Sequence, residues 1–354
     1  MVNTMKAVYI NGHGSLDEVT VGERPMPEPG PGEARVRLAA SGLNHVDIYM
    51  AEDGSGFRHE LPLILGVDGA GTVDAVGEGV TLRHPGERVV IYPARFGKDE
   101  FSFRGDQMLS YSRAVPGENI DGCMAEYVVM PEDCLFPIAD SLSLLDAAML
   151  PTAYLTAWRA VTTQAAVTEK DWVLIHGIGG GASMAALQFC AMRGARTIVT
   201  SSSDDKLDVA RQQGAQHCIN YRREDVLTRV RELTGTRGVD VVIENVGAAT
   251  WDTSLKAAVG GGRIVVFGAT TGPNPPTSLQ RIFIRQLRII GTSVGNFEEL
   301  RTLIDAAERR LFRPLFDSTV SLAQVPDGLA RLAAAEQTGK IGVVIDRKAC
   351  GLSA

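Results

Sequence analysis

Cysteine is scarce in this chain, and its placement excludes a good deal. Five cysteines stand at 123, 134, 190, 218 and 350. They are odd in number, scattered and without C-x-x-C spacing. They build neither a disulfide frame nor a cysteine metal cage, and they fit a reducing cytoplasm. Long apolar runs are missing too, since none reaches the ~20 residues that a membrane span requires. The opening stretch, residues 1–10, is strand-like and lacks the pattern of a signal peptide. Positive charge is not in excess: a net charge of −7 gives a nucleic-acid partner no electrostatic support. Internal repeats and low-complexity tracts are absent. What remains is an ordinary globular composition, 45% hydrophobic and 22% charged over 354 residues, and that length suits two domains.

The chain has two textures. Residues 1–150 read mostly as short strands (5–10, 34–40, 71–76, 88–92, 122–129) divided by Gly and Pro clusters such as 25–32. A polar, irregular excursion covers 94–121; excursions of that length are functional, disordered or relics of a lost site. From Pro151 the pattern changes. A helix is predicted over 152–165. Strand and helix patterns then alternate at 172–176, 183–193, 196–200, 204–213, 217–220, 223–234, 239–243, 251–259 and 263–267, with a connection near 278–285 and a strand at 287–293. Such alternation implies an α/β doubly wound parallel sheet with right-handed crossovers. The tail has helical runs at 298–310 and 325–337 and a strand at 341–346. It is too short for a core of its own and is expected to pack back on the first domain.

The second texture is organised around Trp172-Val173-Leu174-Ile175-His176-Gly177-Ile178-Gly179-Gly180-Gly181-Ala182-Ser183. A short apolar run meets glycines and then a helical run, in the pattern G-x-G-x-x-A. Gly177 permits a tight turn, Gly179 lets backbone N–H groups approach a pyrophosphate, and the small Ala182 lets the helix pack on its strand. The positive helix N-terminus faces the phosphates. In NAD sites an acid about 20 positions past the first glycine takes the ribose 2′-hydroxyl. Here that place holds Thr200, Ser201, Ser202 and Ser203, with Lys206 beyond, so hydroxyls and an ammonium are available for a 2′-phosphate and NADP(H) is favoured. A second reading is that Ser203 only caps the next helix. Asp204 and Asp205 weigh against a phosphate but also suit a helix first turn.

Six segments together resemble the medium-chain dehydrogenase/reductase superfamily along nearly the whole chain. They are Ala40-Ser41-Gly42-Leu43-Asn44-His45-Val46-Asp47, Gly66-Val67-Asp68-Gly69-Ala70-Gly71, Pro85-Gly86-Glu87-Arg88-Val89-Val90, Ala125-Glu126-Tyr127-Val128, Pro151-Thr152-Ala153-Tyr154-Leu155-Thr156-Ala157-Trp158 and the Gly177 turn. The resemblance implies a GroES-like β-rich catalytic domain (1–151, completed by 295–354), a Rossmann domain (152–294), an active site in the cleft between them, and a two-fold dimer. Strand 288–294, an apolar edge of the Rossmann sheet, would be the pairing element.

Within that family the departures carry the information. Zinc alcohol dehydrogenases ligate catalytic zinc from places that hold Asn44, Val67 with Asp68, and Thr152 here. Val67 has no donor atom, and Asn44 and Thr152 lack the thiolate or imidazole that zinc prefers. The structural zinc spacing falls on Gly97, Glu100, Phe103 and Tyr111. A Ser or Thr proton relay is replaced by Val46. No metal is therefore expected. The chain is similar to the zinc-independent quinone oxidoreductase and enoyl reductase branch, which reduces a quinone or an α,β-unsaturated carbonyl with NADPH. An alcohol dehydrogenase with atypical or lost zinc sites and a non-catalytic NADPH-binding protein are the other two classes left open.

The resemblance makes Asn44 and Tyr49 the candidate donors to the developing oxyanion. It gives the nicotinamide carboxamide to Thr156 and the 2′-phosphate to Lys206 and Tyr221. His45 reads as a pyrophosphate neighbour or a surface residue rather than a base. Thr152, Gly180, Gly181, Asn245 and Gly268 complete the residues expected at the cofactor. Asp47 and Asp68 read as structural hydrogen-bonders, and the cysteines as inert.

Overall fold

Among the early strands, that at 33–42 has an apolar, buried residue at every second position, Ala34, Val36, Leu38 and Ala40, so its first half has one face for a core and one for solvent. In a computed structural model describing residues 3–56 and 58–352, these strands form β1 (Thr4–Ile10), β2 (Val19–Pro25), β3 (Glu33–Gly42), β4 (Leu63–Ile64), β5 (Asp68–Val76), β6 (Arg88–Ile91), β7 (Tyr127–Pro131) and β8 (Leu135–Pro137). The helices among them are α1 (His45–Glu52), α2 (Glu100–Phe103), α3 (Leu144–Ala148) and α4 (Leu155–Trp158), the last flanked by π-helical turns Leu150–Tyr154 and Arg159–Gln164. Met1 and Val2, which open the strand-like run at the start, lie outside the described residues.

The second texture gives β9 (Trp172–Ile175), α5 (Gly181–Met192), β10 (Arg196–Ser201), α6 (Asp204–Gln212), β11 (His217–Asn220), α7 (Val226–Leu233), β12 (Val239–Glu244), α8 (Trp251–Ala257), β13 (Ala258–Val266), α9 (Leu279–Ile284) and β14 (Arg288–Gly291). The tail adds α10 (Phe297–Glu308), β15 (Phe316–Ser321), α11 (Val325–Ala333) and β16 (Lys340–Val344). Among the described residues no helix is long and apolar enough to cross a membrane.

The chain divides into two units, 1–155 with 294–354, and 156–293. In the first, β3 is the central strand. It pairs antiparallel with β5 and β7, and the tail strand β16 joins it at Gly342↔Gly42. The tail is thus built into the first unit's sheet. One core beneath it gathers Val8, Leu43, Met50, Leu65, Leu329 and Val343.

The second unit is a parallel sheet in the order β11-β10-β9-β12-β13-β14. This is the doubly wound α/β arrangement. Strands buried on both faces need continuous apolar runs rather than alternation, which is why β9 and β12 read as Val/Ile/Leu stretches. The order reverses between β9 and β12, and ligands of such sheets bind beyond the C-terminal ends of the strands at that point.

Candidate active site

In the second unit the chain leaves β9 through buried His176 and turns at Gly177 (φ +61°) and Gly179 (φ +132°). Backbone favours glycine at both positions, and at each the space for a side chain is already taken by a neighbour. A Cβ on Gly177 would lie 2.8 Å from Val246 Cγ2, and one on Gly179 2.6 Å from Lys206 Cδ. Gly180 then precedes α5, which starts at Gly181, and gives it no side-chain cap. The amides of that first turn are left for an anion. Ala182, expected to be the close-packing residue, is half-exposed. The buried residue is its neighbour Ser183, whose Oγ donates to Gly177 O (3.1 Å) and Gly180 O (3.0 Å) and locks helix to turn.

Beside the turn lies a groove of about 570 Å³ lined by His176, Gly177, Thr200, Tyr221, Val246 and Thr250. Tyr221 stands half out of the protein on its wall and its N–H donates to Ser201 O. Ser203 caps α6 by accepting from Lys206 N, while the Ser201 Oγ accepts from Ser203 N. Ser202 is half-buried between them. The capping reading of Ser203 therefore holds, and it leaves the cofactor reading of Ser202 intact. Asp204 is held by Asn220 Nδ2 (2.9 Å) and by Arg223, and these contacts, Asn220's first, keep its carboxyl below the usual range. Its charge is thus balanced locally.

The Lys206 side chain lies across Gly179, with Nζ 3.4 Å from where a Cβ there would sit. Asn245 Oδ1 is buried without a partner and lies 3.7 Å from the corresponding point on Gly177. Gly268 is required because a Cβ would meet Asn245 O at 2.7 Å. A glycine cradle, an uncapped helix start, a lysine over the turn and an orphaned amide oxygen together fit a dinucleotide phosphate group.

Glu244, not singled out from the sequence, shapes the groove from below. This fully buried carboxylate accepts from Val246 N (2.9 Å), Gly247 N (3.0 Å), Thr250 Oγ1 and Ser254 Oγ, and so fixes the turn after β12. His176 lies near it on the neighbouring strand. Burial holds the imidazole below its ordinary pKa although Glu244 opposes the shift. Thr156, at the start of this unit, is 8% exposed.

The first unit brings three neighbouring strands' ends together. Asp68 opens β5, Lys340 opens β16, and Asn44 follows β3, which lies between them. Lys340 Nζ donates to Leu43 O (2.7 Å), Asn44 Oδ1 (2.7 Å) and Asp68 Oδ2 (2.9 Å). Asn44 Nδ2 donates to Asp68 Oδ2 (2.9 Å) and Gly42 O (3.2 Å), and Thr152 N donates to Asp68 Oδ1 (2.9 Å). Lys340 and Asp68 are 3% and 0% exposed, so the pair endures only because its members find partners within the protein.

This corrects the expectation for Asn44. Both of its amide hydrogens and its oxygen are engaged, so it braces the cluster and has no donor left for a substrate. Lys340 escaped sequence reading because a lysine at the head of Ile341-Gly342-Val343-Val344 looks like a solvated strand end.

Tyr49, on α1, is 37% exposed. Burial and then Glu52 push its phenol up, so at neutral pH it keeps its proton and remains a donor. The half-buried His45 ring lies 6.4 Å away. Burial and then Lys340 hold it below its ordinary pKa, so it is neutral there. Thr152 Oγ1 is buried and unpartnered. Asp47 accepts from Asn44 N (2.8 Å) and Gly66 N (3.2 Å), yet burial pushes it up to about 7. Cys123 is buried close by and its thiol is pushed up by the same cause.

The residues at the zinc positions do not fit a metal. Val67 has no ligating atom, Asp68 is occupied on both oxygens, and Asn44 is saturated. Among the described residues no group of three or more His, Cys, Asp or Glu is placed to hold one. In the excursion, Asp99 ties the lobe. Its Oδ1 accepts from Phe101 N (3.0 Å) and Ser102 N (2.9 Å), and its Oδ2 from Ser110 Oγ (2.6 Å) and Tyr111 N (2.9 Å). A carboxylate thus joins the two ends of the segment where the family places zinc.

Comparisons with known proteins give the family. A family model described as "Alcohol dehydrogenase GroES-like domain" matches residues 30–140, and one described as "Zinc-binding dehydrogenase" matches 181–309. The chain is 30% identical to a zinc-type alcohol dehydrogenase-like protein of Schizosaccharomyces pombe, over 94% of this chain and 96% of that one. It is also 30% identical to a quinone oxidoreductase of Pseudomonas aeruginosa, over 94% and 98% respectively. Among solved structures, an NAD-dependent alcohol dehydrogenase superposes with a TM-score of 0.92 at 36% identity, covering 96% of this chain and 100% of that one.

Proposed function

We propose a reductase function for this chain, an oxidoreductase that belongs to the medium-chain dehydrogenase/reductase superfamily: it passes hydride from NADPH to a quinone or an α,β-unsaturated carbonyl compound without zinc. The observation that carries this reading is the saturated Asp68–Lys340–Asn44 cluster beside Val67. Zinc-based alcohol oxidation needs open ligands and a proton relay, and this chain offers a closed set of hydrogen bonds and Val46.

Gly177, Gly179 and the first turn of α5 would hold the pyrophosphate, and Ser202, Lys206 and Tyr221 the 2′-phosphate. When bound, the nicotinamide would supply the hydride. The chain's part is placement and polarity. Asn44, fixed by Lys340 and Asp68, anchors the start of α1 and so sets the position of Tyr49. The Tyr49 hydroxyl donates toward the carbonyl oxygen on which negative charge grows, and Tyr49 or a water returns the final proton. Thr152 Oγ1 and Thr156 take the carboxamide. His45, neutral, takes no proton.

The solved neighbour named as NAD-dependent raises the alternative cofactor. Against it here stands the end of β10, where three serines and a lysine occupy the place of the acid that would hold a 2′-hydroxyl. A charge-assisted contact of this kind contributes ~1.5–3 kcal/mol, roughly ten- to a hundred-fold in affinity. Isothermal titration of NADPH and NADH on wild type and Lys206→Ala tests this. Tighter binding of NADPH by at least about tenfold, lost selectively in the variant, is expected. Equal affinities in the wild type, or equal losses in the variant, would reduce the serine-rich turn to a helix cap.

A further inference from the structure

The second unit carries another recess at the opposite end of its strands, by the start of β12. Its volume is about 220 Å³. Five cations line it, Arg231, Arg237, Lys256, Arg281 and Arg285, and no carboxylate is among the described lining residues. Part of this charge has a structural account. Arg231 and Lys256 stand in the last turns of α7 and α8, where cations offset the helix dipole. Arg281 donates from Nε to Leu255 O (2.8 Å) and from Nη2 to Lys256 O (3.2 Å), satisfying carbonyls at the end of α8. Arg237 forms a two-pronged pair with Asp240, and Lys256 pairs with Asp252 at 2.6 Å.

Arg231 and Arg285 are left over. Neither is in an ion pair among the described residues, and Arg285 reaches only Ala258 O, at 3.5 Å. Asp240 and Asp252 pair with two of these cations, and Asp225 feels the charge of Arg231 without closing on it as an ion pair, so three carboxylates face five cations and the recess keeps an excess of two positive charges in a chain whose net charge is −7. Its lip is also strained. Thr236, a β-branched residue, sits in the left-handed region at φ +67°, its N–H bonded to Arg231 O. Conformations of this kind need outside support and cluster at ligand clamps.

We propose that this recess binds a small phosphate-bearing anion, with Arg231 and Arg285 as its principal contacts. The planar guanidinium fork matches phosphate oxygens two at a time. The volume suits one phosphate or pyrophosphate group; sites for drug-sized ligands begin at about 300 Å³. The recess lies at the far end of the strands from the glycine turn, so the two anion sites are separate.

The test is isothermal titration of inorganic pyrophosphate into the full chain saturated with NADPH, which fills the glycine turn. One site per chain is expected, weakening as salt rises. Arg231→Gln with Arg285→Gln should weaken it at least about tenfold. The charge-matched pair Arg211→Gln with Arg309→Gln, both exposed and distant in sequence, should leave it unchanged. Absence of binding at millimolar pyrophosphate, or equal losses in the two double variants, would each overturn the assignment. A chain that fails to take up NADPH would refute the reductase reading instead, and the two double variants would still decide this one.

Discussion

Asp47 makes the first unit's site sensitive to pH. Buried beside Asp68 and Lys340, it is pushed up to about 7, so the folded protein holds a proton there that the unfolded chain gives up near the ordinary carboxylate value. Between roughly pH 4 and pH 7 the native state therefore binds more protons than the unfolded state, and stability falls as pH rises across that window. Asp47→Asn keeps an acceptor for Asn44 N or Gly66 N and removes the titration. Denaturant unfolding of both proteins across this range should show the wild type losing stability relative to the variant as pH rises; parallel curves would contradict the burial account. Single residues were legible in the sequence when their chemistry was local. Gly177, Gly179 and Ser203 follow from turn and cap geometry. The roles of Lys340 and Glu244 were not legible, because a buried charge announces itself only through partners brought from other strands. Asn44 was legible as part of a site and misread as a donor, since its saturation depends on Lys340, 296 positions away.

At the scale of elements, the alternating second unit was read nearly strand for strand, because continuous Val/Ile/Leu runs separated by polar helices leave few other arrangements. The predicted helix over 152–165 proved to be a short α-helix between two π-helical turns, a register that residue pattern does not encode and that recurs near functional sites. The 94–121 excursion was open between function, disorder and relic. The structure gives it a built closure centred on Asp99. The hydrogen bonds that hold Asp99, that of Ser110 first, keep its carboxyl below the usual range. The closure is therefore present above the ordinary carboxylate pKa and is lost as pH falls through the depressed value. Asp99→Ala removes acceptors from both ends of the segment. Hydrogen exchange should quicken at least about tenfold across 99–112 and stay unchanged in β9–β14, because local opening involves only the groups it frees. Unchanged exchange in the lobe would mean that something other than Asp99 holds it.

At the scale of the whole molecule, the second unit ends in an uncovered apolar face. Leu279, Phe283 and Ile284 of α9 are 71%, 67% and 62% exposed, and Ile289 of the edge strand β14 is 40% exposed. An edge strand flanked by such surface invites pairing with its copy. Light scattering at micromolar concentration should give a dimer, and Phe283→Glu with Ile289→Lys a monomer; a wild-type monomer would contradict this. Hydride transfer in this site is expected to need no metal. The most direct measurement is the initial rate of NADPH oxidation with a panel of quinones and enones, before and after exhaustive dialysis against a strong chelator, with zinc counted by elemental analysis. Turnover of at least one quinone or enone is expected, unchanged by chelation and with zinc far below one per chain. Turnover that vanishes on chelation and returns with added zinc would contradict it.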